Sequence, residues 1–172
     1  SVPEGIKLRT DINTGRGARG YAEVVVDPYK DPKPISGALV LNELDLAILK
    51  PFFPGMRVLR GNVTMAGGLG GTLTKPQFYG DVKLSDGRVA MLDLPVNLTN
   101  VNAEAKIRGT QATIDGTFNS GDGKGELSGT VNWQQKLQAK LSIVGERLVI
   151  TQPPLLVAEI DPDIDIIVRP SD

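Results

Sequence analysis

The chain contains no cysteine and no histidine, and these two absences remove most side-chain chemistry at once. A Ser-His-Asp triad, a Cys nucleophile, a thiolate zinc site and a histidine pH switch are all excluded. Metal or acid–base chemistry would have to rest on carboxylates alone. A surplus of one charge is missing too. The 19 Lys+Arg against 20 Asp+Glu leave a net charge of -1, whereas nucleic-acid binders carry a basic excess, so nucleic acid is not an expected partner. No apolar run approaches the ~18 to 20 residues of a spanning helix. The opening Ser1-Val2-Pro3-Glu4-Gly5 has neither an initiator Met nor a signal-peptide h-region, so the chain reads as an excerpt of a longer protein. Aromatic residues make up only 5%, so whatever is buried is aliphatic. Lack of cysteine fits a reducing cytosol and equally a protein that avoids disulfide errors in an oxidising compartment.

What is present is strand pattern and glycine. The length of 172 residues suits one domain with a real core, and 40% hydrophobic with 23% charged residues is ordinary for a folded chain. The 20 Gly and 12 Pro are roughly a fifth of the residues, where about an eighth is usual. Apolar and polar residues alternate over Ile6, Leu8 and Ile12, over Val82 and Leu84, and over Ala103, Ala105 and Ile107. The same period continues through Ala112, Ile114 and Phe118, through Leu127, Val131 and Trp133, and through Leu137, Ala139, Leu141 and Ile143; Leu148 and Ile150 begin another strand.

Turn residues predict hairpins between neighbours. Asp86-Gly87 predicts a two-residue turn pairing Leu84 with Val89 and Val82 with Met91. Gly109-Thr110 turns Ile107 back towards Ala112, and the Asn119 to Gly125 cluster turns Phe118 back towards Leu127. One short helix is expected over Leu44 to Lys50, with Asn42 or Asp45 as cap and Pro51 and Pro54 as stops. Pro28, Pro32 and Pro34 suggest an extended linker, Gly67, Gly68, Gly70 and Gly71 weaken any strand near them, and Pro153-Pro154 marks a break before a last strand, Ile160 to Val168. The expected organisation is a single β domain: leading strands and Pro-rich linker over 1–34, the main meander over 35–152 and a terminal strand over 153–172.

An antiparallel sheet with one apolar face must cover that face, and there are too few helices to do so. The expected fold is therefore all-β, a curled antiparallel meander forming a trough-like, taco-shaped sheet with an apolar interior and strand walls of about 20 Å. Its groove is expected to be lined by Val82, Leu84, Val89, Met91, Ala105, Ile107, Ile114, Phe118, Leu127, Val131, Leu141 and Ile143, with Ala139 excluded from the set.

The short motifs offer no rival chemistry. Gly15-Arg16-Gly17-Ala18-Arg19-Gly20 fits G-x-G-x-x-G, but Tyr21 to Val26 reads as a strand where a dinucleotide site needs a helix. Asp161, Asp163 and Asp165 have EF-hand spacing, yet Ile166 stands where glycine is required, so an edge strand with an acidic outer face is the better reading. Asp115 and Asp122 are not singled out by spacing as a catalytic pair, and the sequons Asn62-Val63-Thr64 and Asn97-Leu98-Thr99 fall on strands. No catalytic residue, metal site or cofactor is expected, and the chain is not expected to be an enzyme.

Several segments in order resemble the C-terminal region of the TamB family, in the AsmA-like group, from an enterobacterium. They are Leu44-Asp45-Leu46, Pro51-Phe52-Phe53-Pro54-Gly55, Leu59-Arg60-Gly61, Pro76-Gln77-Phe78-Tyr79-Gly80-Asp81-Val82, Ser85-Asp86-Gly87, Leu98-Thr99-Asn100-Val101 and Gly123-Lys124-Gly125-Glu126-Leu127-Ser128-Gly129. The resemblance covers nearly the whole chain, and the order of these short motifs is what makes it specific. It implies a trough open along one side, in the periplasmic part of an inner-membrane-anchored protein of a Gram-negative cell, with the anchor outside this excerpt. It further implies phospholipid acyl chains as cargo, the outer-membrane barrel protein TamA as partner, and support of outer-membrane protein and autotransporter assembly. Two other readings of the residues stand beside it: a chaperone that offers trough or sheet edge to unfolded outer-membrane strands, and a structural β domain with a closed core. A transmembrane barrel would need aromatic girdles that eight scattered aromatics do not form.

Overall fold

The computed structural model describes residues 5–13, 19–92, 97–152, 156–160 and 163–168. The described residues form twelve strands: β1 Ile6–Asn13, β2 Arg19–Val26, β3 Ile35–Asp45, β4 Met56–Gly71, β5 Pro76–Met91, β6 Asn97–Gly109, β7 Gln111–Ser120, β8 Gly123–Asn132, β9 Gln138–Glu146, β10 Leu148–Gln152, β11 Leu156–Ile160 and β12 Asp163–Val168. Strands β1 to β9 follow one another across a ten-stranded sheet in chain order, and β12 adds beside β9. All pairings are antiparallel, and β1 and β12 are the two edges, so the sheet does not close into a barrel. The short β10–β11 hairpin stands apart as a second sheet, with β10 lying against β7 and β8.

The expected meander is present, with local corrections. Asp86-Gly87 does not turn the chain. It lies inside β5, which runs unbroken for 16 residues beside an equally long β4. The expected partners of a hairpin there are replaced by Val82↔Met65, Leu84↔Val63, Val89↔Leu59 and Met91↔Met56. Asp-Gly supplies a positive φ, which a bulge needs as much as a turn does, and Asp86 has φ 52 at a register shift between Leu84 and Gly87. Walls built on strands of this length reach about 50 Å, more than twice the expected 20 Å.

Residues 28–34 form the tight connection of a β2–β3 hairpin that closes at Val26↔Ile35, not an extended linker. Gly67, Gly68, Gly70 and Gly71 all lie within β4. The helix is a 3₁₀ segment, Leu46–Phe52, that contains Pro51, and Asp45 caps it by accepting from the Ala47 N–H at 2.9 Å. The Gly109-Thr110 turn has the expected register, Ile107↔Ala112. The next turn is tighter than expected, bringing Phe118 opposite Gly125 and Leu127 opposite Gly116. The expected last strand is two, β11 and β12, with 161–162 outside the described residues, as are Pro153-Pro154.

Bulges align across four neighbouring strands. Positive φ values occur at Glu43 (55), Gly61 (145), Asp86 (52) and Asn100 (47), each beside a register shift in β3, β4, β5 and β6 respectively. Each bulge bends its strand and increases its twist, so a row of them makes a bend line through the sheet. Asn102 bridges part of this line: its side-chain oxygen accepts from the Asp86 N–H at 3.3 Å while its amide donates to the Asn100 carbonyl at 3.0 Å.

Few side chains are buried. Among the described residues the buried apolar ones are Ile35, Leu59, Ala90, Val101, Ala112 and Phe118, and no large side chain is fully enclosed. Among the described residues Val101 and Phe118 form a tight cluster, with Leu84, Leu98, Leu127 and Ile143 packed on it. The surface area of 11877 Å² exceeds by nearly half the roughly 8,100 Å² of a compact 18.3 kDa chain. That excess excludes the closed-core reading.

Candidate groove on the apolar face

Cross-strand partners project to the same side of a sheet, so the register assigns the faces. One row runs Leu41, Met65, Val82, Ala105, Ile114, Gly129 and Leu141 from β3 to β9. The next runs Leu39, Gly67, Gly80, Ile107, Ala112, Val131 and Ala139. A third holds Val63, Leu84, Ala103, Gly116, Leu127 and Ile143. Beyond the bend line Gly87 faces Val101, and Val89 pairs with both Leu59 and Leu98. These rows contain no Asp, Glu, Lys or Arg, so they form a continuous strip of aliphatic and small residues across at least seven strands.

The opposite side carries the charge. Lys7 and Arg9 pair with Glu23 at 3.2 and 3.6 Å, and Arg108 reaches Asp81 at 3.3 Å. The faces differ in shielding: along β7, Thr113, Asp115 and Thr117 are exposed while Ala112 and Phe118 are buried and Ile114 is half-buried. A flat single layer would expose both faces alike. The apolar rows are therefore the better-shielded face, and most of them are half-buried.

Every residue expected to line the groove from Val82 to Ile143 belongs to these rows or to the Val101–Phe118 cluster, apart from Met91. Met91 ends β5 opposite Met56 and is exposed. Ala139, excluded at first, lies in a row beside Val131. The sequence pattern missed the β3 and β4 share of the face, Leu39, Leu41, Val63 and Met65. Their alternation is legible over 39–41 and 63–65 but is then interrupted by glycines. Small residues leave room over the sheet, and aromatic rings occupy some of it: a Cβ at Gly67 would stand 2.5 Å from Phe78 Cζ, and one at Gly80 2.8 Å from its Cε1.

The rejected motifs gain nothing from the structure. Gly15 to Ala18 and Asp161 lie outside the described residues, and Arg19-Gly20 already belong to β2. Asp115 sits in mid-β7 and Asp122 at the turn beyond it, about 20 Å further along the chain path and too far for paired carboxylate chemistry. A recess of ≈ 680 Å³ on the polar face brings Lys83, Glu104, Asp115 and Glu126 together, but no group among the described residues has three metal-ligating side chains in reach. No described helix is long and apolar enough to cross a membrane.

A family model described as the N-terminal domain of TamB matches residues 3–84. A curated relative, the translocation and assembly module subunit TamB of Haemophilus influenzae, is 25% identical over 126 residues, which are 73% of this chain and 10% of that protein. The chain is similar to the TamB family over these residues. No solved structure matches. The chain spans about a tenth of the TamB relative's length, and the matching family model is the N-terminal one, so the expected C-terminal placement gains no support from it. The model's match over 3–84 takes in β1 to β4 and half of β5, and with them the first third of the apolar rows.

Proposed function

We propose that this chain is a groove segment of a translocation and assembly module subunit, shielding acyl chains as phospholipid passes between the inner and outer membranes. The observation that carries the reading is the uncharged, half-buried face running across the sheet from β3 to β9. Moving an acyl chain of about fifteen CH₂ groups through water costs roughly 12 kcal/mol at ~0.8 kcal/mol per CH₂. A continuous apolar wall removes most of that barrier without binding tightly, because it is no more apolar than the bilayer the lipid leaves. Acting this way, the chain makes and breaks no bonds and is not an enzyme. The setting is the periplasmic side of a Gram-negative envelope, with TamA and the assembly of outer-membrane proteins and autotransporters as the companion process.

The test is photo-crosslinking in the intact protein from Ile107, Ile114 and Leu141. Lipid adducts that disappear when Leu84 or Ile114 is replaced by Asp in a folded variant support the conduit; unchanged lipid adducts and outer-membrane lipid supply would defeat it. A second reading, a chaperone for unfolded outer-membrane strands, is favoured by the two edges β1 and β12, whose outer backbone groups have no partner strand among the described residues. Polypeptide adducts from the same positions would favour it.

A further inference from the structure

Exposed apolar side chains concentrate at one lip of the sheet. In the 3₁₀ segment and the turn after it, Ile48 is 50%, Phe53 48% and Phe52 76% exposed, the last being the highest value among the large apolar residues described. The start of the β5–β6 connection joins them: the Leu92 N–H donates to the Gly55 carbonyl at 2.9 Å, and Leu92 is 61% exposed. Met56 and Met91 are paired just behind. The lip is thus continuous with the apolar face through Leu59 and Val89.

Cations outnumber acids at this lip: Lys50, Arg57, Arg60 and Arg88 stand against Asp45, whose carboxylate caps the 3₁₀ segment, and Asp93, next to Leu92 in sequence. From Leu46 to Arg60 the chain has Lys50, Arg57 and Arg60 and no acid. Arg60 lies directly opposite Arg88, an arrangement of like charges that costs stability unless an external anion answers it. None of these four cations has an ion pair with a described residue. Rings and aliphatic tips flanked by unpaired cations are what the surface of an anionic bilayer accepts: apolar groups enter the acyl boundary while Lys and Arg meet phosphate.

We propose that this lip, built from the 3₁₀ segment and the adjoining β4–β5 ends, docks on an anionic phospholipid bilayer. The docking does not depend on the conduit reading, because a membrane can seat on the lip whether or not the groove carries acyl chains. Each cation near an anionic surface favours binding about fivefold, so removing two should weaken it by about 25-fold.

Two measurements decide it. The chain is sedimented with vesicles of phosphatidylethanolamine and phosphatidylglycerol, or of phosphatidylcholine alone, with circular dichroism confirming the fold of each variant. Binding is expected on the anionic vesicles only. It should weaken in high salt, by about 25-fold in the Arg60→Gln/Arg88→Gln variant, and also in Phe52→Ser/Phe53→Ser. Failure of the folded chain to bind anionic vesicles, or binding indifferent to both variants, overturns the proposal. A photo-crosslinker at Phe52 of the intact protein in its own envelope should give lipid adducts. Polypeptide adducts alone would assign the lip to a protein partner and overturn it as well. Groove crosslinks at Ile114 report on the conduit separately, so either reading can fail while the other stands.

Discussion

Phe118 and Gly125 face each other across the β7–β8 pair, and the Phe118 ring fills the space that a side chain at 125 would need. The ring is 4% exposed and sits against Val101, Leu84, Leu98, Leu127 and Ile143. With few buried side chains among the described residues, this contact anchors the Val101–Phe118 cluster. Gly125→Ala should therefore destabilise the fold by about 1 to 3 kcal/mol, the range for overpacking. Phe118→Ala should cost about 3 to 5 kcal/mol. Urea denaturation checks both. A Gly125→Ala loss below about 0.5 kcal/mol would mean that the ring can move aside.

The bend line makes a second, sharper prediction at Asp86. Its φ of 52 lies in the left-handed region, where a β-branched residue is strained by about 1 to 2 kcal/mol while glycine is not. Asp86→Val should lower stability by that amount, and Asp86→Gly should leave it within about 0.5 kcal/mol of the parent. Thermal melts separate the two. Equal loss in both variants would show that the Asp86 side chain, more than its backbone, holds the bulge.

Asp86 also marks where local reading stopped working. The register of Ile107 with Ala112 could be read from Gly109-Thr110 because a two-residue turn fixes its own partners. At Asp86-Gly87 the same residue types serve a bulge. The choice is made by β4 and β6, which hold Val89 between Leu59 and Leu98 from 30 and 9 residues away. Gly67 and Gly68 read as strand breakers for a similar reason. Their place in β4 depends on pairing with Gly80 and Tyr79 and on the Phe78 ring above Gly67, none of which is visible in a short window. The apolar face of β6 to β9 is legible because its alternation resumes after single glycines, at Phe118 beyond Gly116 and at Val131 beyond Gly129.

A pH effect is expected at Asp27, in the β2–β3 connection. The Tyr29 N–H donates to its carboxylate at 3.0 Å and Lys30 lies 3.2 Å away, and together they hold its pKa below the ordinary carboxylate value. A depressed folded pKa means the interaction stabilises the fold above the unfolded value, near 4, and is lost as pH falls through the lower folded value. The carboxylate is in an exposed loop, so the global effect is small and the site is best read directly. The NMR titration of Asp27 should have its midpoint below that of a model Asp, and Lys30→Ala should move it up. A midpoint at the ordinary value would remove the Tyr29 and Lys30 contacts as causes.

Thr113 and Ile114 are adjacent in β7 and project to opposite faces: Thr113 pairs with Lys106 and Thr130 on the charged side, Ile114 with Ala105 and Gly129 in the apolar row. An Asp placed at each position is therefore a matched test of the face assignment. Thr113→Asp adds a charge to an exposed position near Lys140 and Asp115, and surface changes of this kind usually stay within about 0.5 kcal/mol. Ile114→Asp puts an uncompensated carboxylate among aliphatic neighbours and should cost about 1 to 3 kcal/mol. Because the row is only half-buried, the variant should remain folded at moderate temperature. In that folded variant lipid crosslinking from the neighbouring Leu141 should fall sharply, while the Thr113→Asp protein crosslinks as the parent does. Were the two substitutions to affect stability and crosslinking equally, the sheet would not separate an inner from an outer face, and the groove would have to be sought elsewhere on the sheet.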